Sequence, residues 1–112
     1  MKNVCYMPKQ IVFEAMKAIN EINKFASENP NSKFYIGKTD NLERRENDHQ
    51  SKGYRYLMPI AETSSIDDLN ELENILIKLS RLFYGENLEN DRDGGGGKIA
   101  DGPIYYIYLA SK

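Results

Sequence analysis

Glu73 is a carboxylate on a surface that the sequence otherwise reserves for apolar side chains. Turned by about 100° per residue, the stretch from Ile66 to Phe83 collects Leu69, Leu72, Leu76, Leu79 and Phe83 in one arc, which Ile66 and Ile77 extend on one side. Asp67, Asn70, Glu71, Asn74, Lys78 and Arg81 fall on the opposite or flanking surface, but Glu73 falls inside the apolar arc. A carboxylate facing a core is costly unless it is paired or binds a metal ion. Glu73 is therefore a candidate site residue. The structural alternative is a buried salt bridge, or a head group that reaches back to water.

A second group is cationic. Arg44 and Arg45 are adjacent, and His49 follows Arg45 by four residues, so Arg45 and His49 share one face of a helix. Together they suit a phosphate, because the arginine fork donates two hydrogen bonds and keeps its charge. The alternative is a solvated face of mixed charge, with Glu43, Glu46 and Asp48 close by. Tyrosine is used eight times and tryptophan never. Tyr35, Tyr105, Tyr106 and Tyr108 fall in expected strands, where tyrosine packs readily. A phenol beside a metal ion or an arginine can also act as a general base once its pKa is lowered. The run Gly94-Gly95-Gly96-Gly97 lacks the Lys-Ser/Thr ending of a phosphate-binding P-loop and reads as a flexible loop.

The elements that must position these groups follow from spacing. Residues 3–7 can form a short strand, and Pro8 suits the first turn of a helix. A helix runs from Gln10 to about Ser27, its apolar positions being Val12, Ala15, Met16, Ile19, Ile22 and Phe25, and Asn29-Pro30-Asn31 ends it. Lys33–Lys38 reads as a strand. A short polar helix over Asn41–Gln50 is expected next, capped by Asp40 with Glu43 as capping partner. Its apolar content is poor, so something other than core burial selects its residues. Tyr54–Glu62 alternates as a strand with Tyr54, Tyr56, Met58 and Ile60 on one face, and Pro59 points to an edge position. Ser65 caps the helix that carries Glu73, and Ile104–Leu109 is a final strand. This order predicts one α+β domain spanning residues 1–112, a small antiparallel β-sheet of about three to four strands flanked by helices.

These residues resemble the signature of the GIY-YIG nuclease family. Tyr35-Ile36-Gly37-Lys38-Thr39 is similar to the YIG half. Arg45 follows that glycine by eight residues and His49 by a further four, as in the family, and Glu73-Asn74-Ile75-Leu76-Ile77-Lys78 has the form of its glutamate motif. Asn87 or Asn90 matches the asparagine beyond that helix. The resemblance covers residues 34 to about 90. It departs where a GIY strand should precede YIG, since a helix occupies that stretch. Either Val4-Cys5-Tyr6 or the C-terminal strand within residues 103–110 takes that place. The latter is favoured and implies a permuted order with Tyr105 as the GIY tyrosine.

The resemblance implies a metal-dependent endonuclease that hydrolyses phosphodiester bonds. Glu73 would bind one Mg²⁺ or Mn²⁺ and Arg45 would stabilise the transition-state charge. Tyr35 would serve as general base, assisted by Tyr105 or His49, and Lys38, Arg44, Asn87 and Asn90 would contact substrate. Nucleic acid is the implied partner, DNA ahead of RNA. A homodimer or a protein partner would supply specificity. The competing reading is an inactive binding or inhibitor module of the same fold, acting on nucleic acid or a protein.

Composition bounds these expectations. The chain has 112 residues and a formal net charge of −2, against the basic surplus of dedicated DNA binders, although a local basic patch can serve a nuclease. The single cysteine, Cys5, excludes an internal disulfide and a cysteine-rich zinc site. With no apolar run near the roughly 20 residues of a membrane span and no hydrophobic signal core, a cytoplasmic protein without membrane association is expected.

Overall fold

The computed structural model describes residues 9–90 and 103–112. Its elements run α1 (Lys9–Glu28), β1 (Phe34–Thr39), α2 (Leu42–Ser51), β2 (Tyr56–Thr63), α3 (Ile66–Tyr84) and β3 (Tyr105–Ser111). The fold is α+β, with the three strands in the order β1-β3-β2 and both pairings antiparallel. The strand latest in sequence is thus the middle one. Pro59 lies on the edge strand β2, where its missing N–H breaks no ladder on the outer side.

Side chains alternate across the sheet. Phe34 and Ile36 of β1 and Tyr105, Ile107 and Leu109 of β3 face a core shared with α1 and α3. Leu69, Leu72, Leu76 and Ile77 of α3 and Ile11, Ala15, Ala18 and Ile22 of α1 complete it. Tyr35, Gly37 and Tyr108 point to the opposite face, and there α2 lies. Its only buried residue is His49, which accounts for a helix whose other side chains, apart from Leu42 at its start, are polar. A bulge between Pro59 and Ala61 lets both Ile60 and Ala61 turn inward. Among the described residues, no helix is long and apolar enough to cross a membrane.

Several expectations need correction. The buried face of α1 is Ile11, Glu14, Ala15, Ala18 and Ile22, while Val12 and Met16 are exposed. That helix is apolar on more than one side, so periodicity alone did not fix which side meets the sheet. Phe83 lies outside the core at the end of α3. Tyr54 precedes β2 and turns to α2, with its ring 4.8 Å from that of His49. The α2 cap is Asn41, not Asp40, and its side chain accepts from the Arg44 N–H at 2.9 Å. Strand β1 runs one residue further than its aromatic pattern, through the buried Thr39, and this moves the cap along. The cap at Ser65 is as expected. The strand over residues 3–7, Pro8 and the glycine run lie outside the described residues.

Both outer edges of the sheet carry polar partners that occupy part of the free ladder. Glu14, buried in α1 and ion-paired to Lys17 at 3.0 Å, accepts the Glu62 N–H of β2 at 2.8 Å. Along β1, the segment after α3 runs parallel to the strand through Phe34 and Leu88. The Asn90 side chain then mimics one more strand residue: its Oδ1 accepts from Ile36 N at 2.9 Å, and its Nδ2 donates to Ile36 O at 2.7 Å. Replacing Asn90 by Ala should lower the unfolding free energy by about 1–3 kcal/mol, because it leaves two part-buried backbone groups unpaired. Urea denaturation measures this, and an unchanged midpoint would show that water replaces the amide without loss.

Candidate functional site

Gly37 decides how the site is built. A Cβ at this position would meet the ring and hydroxyl of Tyr108, which stands opposite it on β3. Without that carbon, the Tyr108 side chain lies flat across β1 and its hydroxyl reaches His49 Nε2 at 2.8 Å. Tyr35 flanks the pair, with its ring 5.5 Å from His49 and 6.3 Å from Tyr108. Tyr54 closes the other side of the imidazole, and its own hydroxyl donates to Glu89 at 3.0 Å.

The electrostatics fix the protons. Burial holds the Tyr108 phenol well above the ordinary tyrosine range, and Tyr35 adds to this. Burial likewise lowers His49, assisted by the positive charges of Arg45 and Lys52. Tyr54 is raised to about 12 by burial and by Glu89. A protonated phenol and a neutral imidazole share this bond, and the ring tautomer decides which of the two donates. Nδ1 is buried with no hydrogen-bond partner, and so is Arg45 Nε. Arg45 is one turn before His49 on α2. Its guanidinium is part-exposed and lies 4.0 Å from Asp48, too long for a strong pair. Two buried nitrogens of α2 are thus left without a partner, and for Arg45 Nε, which can only donate, an oxyanion would supply the acceptor.

Lys38 and Glu73 approach from the other face. Successive residues of β1 point to opposite sides, so Lys38 turns toward α3 while Tyr35 and Gly37 face α2. Glu73 is 5 % exposed, as its place in the apolar arc of α3 foreshadows. Lys38 Nζ is 3.2 Å from Glu73 Oε1 and 2.9 Å from Asn70 Oδ1, one turn earlier on α3. The two oxygens define a cation position, filled here by an ammonium. Among the described residues no group of three or more His, Cys, Asp or Glu converges on a metal position. One carboxylate with one amide oxygen is the kind of donor set that Mg²⁺ or Mn²⁺ accepts when water completes its shell, so the residues present fit such an ion. The charge on Glu73 is felt at Tyr108, as is that of Arg45, which links the two faces around β1.

The remaining candidates are elsewhere. Arg44 is exposed and paired with Asp40. Asn87 donates to Pro30 O at 3.1 Å and Asn90 closes the edge of β1, so both amides serve the backbone. Tyr105 faces the core with Ile107 and Leu109. The tyrosine of the C-terminal strand that meets Tyr35 and His49 is Tyr108, three residues on and on the opposite face. Sequence reasoning missed Tyr108 and Tyr54 as site residues. The alternation of Ile104–Leu109 separates Tyr105 from Tyr106 and Tyr108, and a register with Gly37 would have singled out Tyr108.

Because folding keeps His49 neutral, the unfolded chain binds a proton more readily. The stabilisation is complete above the unfolded value near 6.5 and is lost as pH falls through the lower folded value. The unfolding free energy should therefore decline as pH falls below about 6.5, and His49→Gln should flatten that decline. An identical slope in the variant would mean that His49 is not the group responsible. No family model matches the chain, and no match was found among curated proteins or among solved structures.

Proposed function

We propose that the chain is a metal-dependent endonuclease that hydrolyses phosphodiester bonds in nucleic acid, DNA ahead of RNA. The observation that carries this reading is the placement of Arg45 and His49 on one face of α2, His49 beside Tyr35 and Tyr108, with Arg45 Nε buried and lacking an acceptor. A phosphodiester oxygen supplies such an acceptor, and the guanidinium bears the charge that grows on phosphorus as water adds.

The Tyr108–His49 pair suits proton transfer. Neither group alone is a strong base: the phenol is held protonated and the imidazole is held weakly basic. Acting together, Tyr108 passes its proton to His49 Nε2 while its oxygen takes one from the attacking water. The water oxygen bonds to phosphorus, the leaving oxygen departs with the bonding pair and takes a proton from solvent water, and His49 holds the attacking water's proton as imidazolium until solvent removes it. This avoids a free tyrosinate at the buried position. Arg45 opposes the imidazolium in the free protein, and a bound phosphate offsets that opposition. Tyr35, expected as the base, flanks this pair and positions it. Glu73, with Asn70 beside it, would hold Mg²⁺ or Mn²⁺ on the α3 side of β1, and the ion would supply Lewis-acid stabilisation to substrate oxygens that reach that side. Site preference on the nucleic acid is assigned to a second copy or a protein partner, and the setting to the cytoplasm.

The test is nicking of supercoiled plasmid, with single-stranded DNA and RNA beside it, in Mg²⁺, Mn²⁺ or EDTA. Cleavage should require metal. Glu73→Gln and Arg45→Ala should abolish it with the fold intact, and Tyr108→Phe should slow it by about 10²–10⁴-fold. Folded wild-type protein that cuts nothing, or variants that cut at the wild-type rate, would overturn the assignment.

A further inference from the structure

We propose that the Lys38 ammonium is a built-in competitor for the divalent cation at Glu73: it fills the oxygen-lined position between Glu73 and Asn70 until a metal ion displaces it. This rests on reading Glu73 as a metal ligand and adds how occupancy of that site is governed.

The argument begins with the cost of burying Glu73. Its side chain is 6 % exposed and that of Lys38 is 9 % exposed, so this is no loose surface pair. A carboxylate held this deep needs a counter-charge at all times. In the absence of metal, Lys38 supplies it at 3.2 Å. The placement is imposed from both partners. β1 fixes the lysine backbone through its ladder with β3, where Lys38 stands opposite Ile107. On α3, Asn70 and Glu73 are three residues apart, so both oxygens present to one point above the strand. A metal ion at the same two oxygens would stand too near the ammonium for both cations to remain. Binding the metal therefore means moving Lys38, and the work of breaking its two contacts weakens the site for a free ion. Lys38 is thus a positioning residue for the metal and keeps the metal-free carboxylate neutralised.

The experiment is calorimetric titration of the full chain with Mn²⁺ alone, without nucleic acid. Lys38→Met should bind Mn²⁺ about tenfold or more tightly than the wild type, because the competitor is gone. Glu73→Gln should lose binding in either background. If Glu73→Gln abolishes binding but Lys38→Met binds no more tightly than wild type, the competition is refuted while Glu73 remains a ligand. If Glu73→Gln binds as the wild type does, the metal reading of Glu73 itself is refuted. Removing the lysine takes away a counter-charge from a buried carboxylate, so a wild-type measurement stands beside it. Acetylation of Lys38 by acetic anhydride, followed by peptide mass spectrometry, should rise several-fold on adding saturating Mn²⁺. Equal acetylation with and without Mn²⁺ would overturn the proposal even if the variant does not fold.

Discussion

The missing side chain of Gly37 is the constraint on which the site depends. Tyr108 occupies the space a Cβ would need, and only by lying across β1 does its hydroxyl meet His49. That hydrogen bond involves the single buried residue of α2. The helix has almost no apolar surface with which to dock, so its seat on the sheet follows from one imidazole held between Tyr35, Tyr54 and Tyr108. Arg45 inherits its position from that seat. A close backbone approach, a phenol, an imidazole and a guanidinium thus form one chain of dependence, each fixing the next.

Strand β1 also divides the charges. Its alternation delivers Tyr35 to the face of α2 and Lys38 to the face of α3, with Gly37 between them leaving the strand thin. Arg45, His49 and the tyrosines gather on one side and the Lys38–Glu73 pair on the other. Tyr108 nevertheless responds to both Arg45 and Glu73. A low-dielectric wall only one backbone thick lets opposite charges act on the same phenol without neutralising each other directly.

Helical periodicity made the most informative residue legible. Glu73 interrupts an apolar arc, and its burial follows from that arc alone. The spacing of Arg45 and His49 was equally local, as was the cap at Ser65. What was not legible depends on register and docking. Tyr105 and Tyr108 are chemically alike in the sequence, and only the pairing of β3 with β1 decides which one meets Gly37. The side of α1 that meets the sheet was hidden because Val12, Phe13 and Met16 make a second apolar surface, which stays outside. Asn90 acts on a strand 54 residues earlier, a distance over which no local pattern carries information.

The position of β3 in the sheet has a kinetic consequence. β1 and β2 share no ladder with each other; each forms its strand ladder with β3, and β1 has besides a parallel bridge to Leu88. During vectorial synthesis both strands emerge well before the segment that joins them, and neither has a partner in the sheet until it arrives. The ordering entropy of two long closures must therefore be met before any strand pairing rewards it, which favours slow, concerted assembly over stepwise growth. In that interval α1 and α3 can hold their apolar faces against each other, while Glu14 and Asn90 have no strand edge to close. Acquisition of tertiary structure and of the Tyr108–His49 contact becomes a single late event.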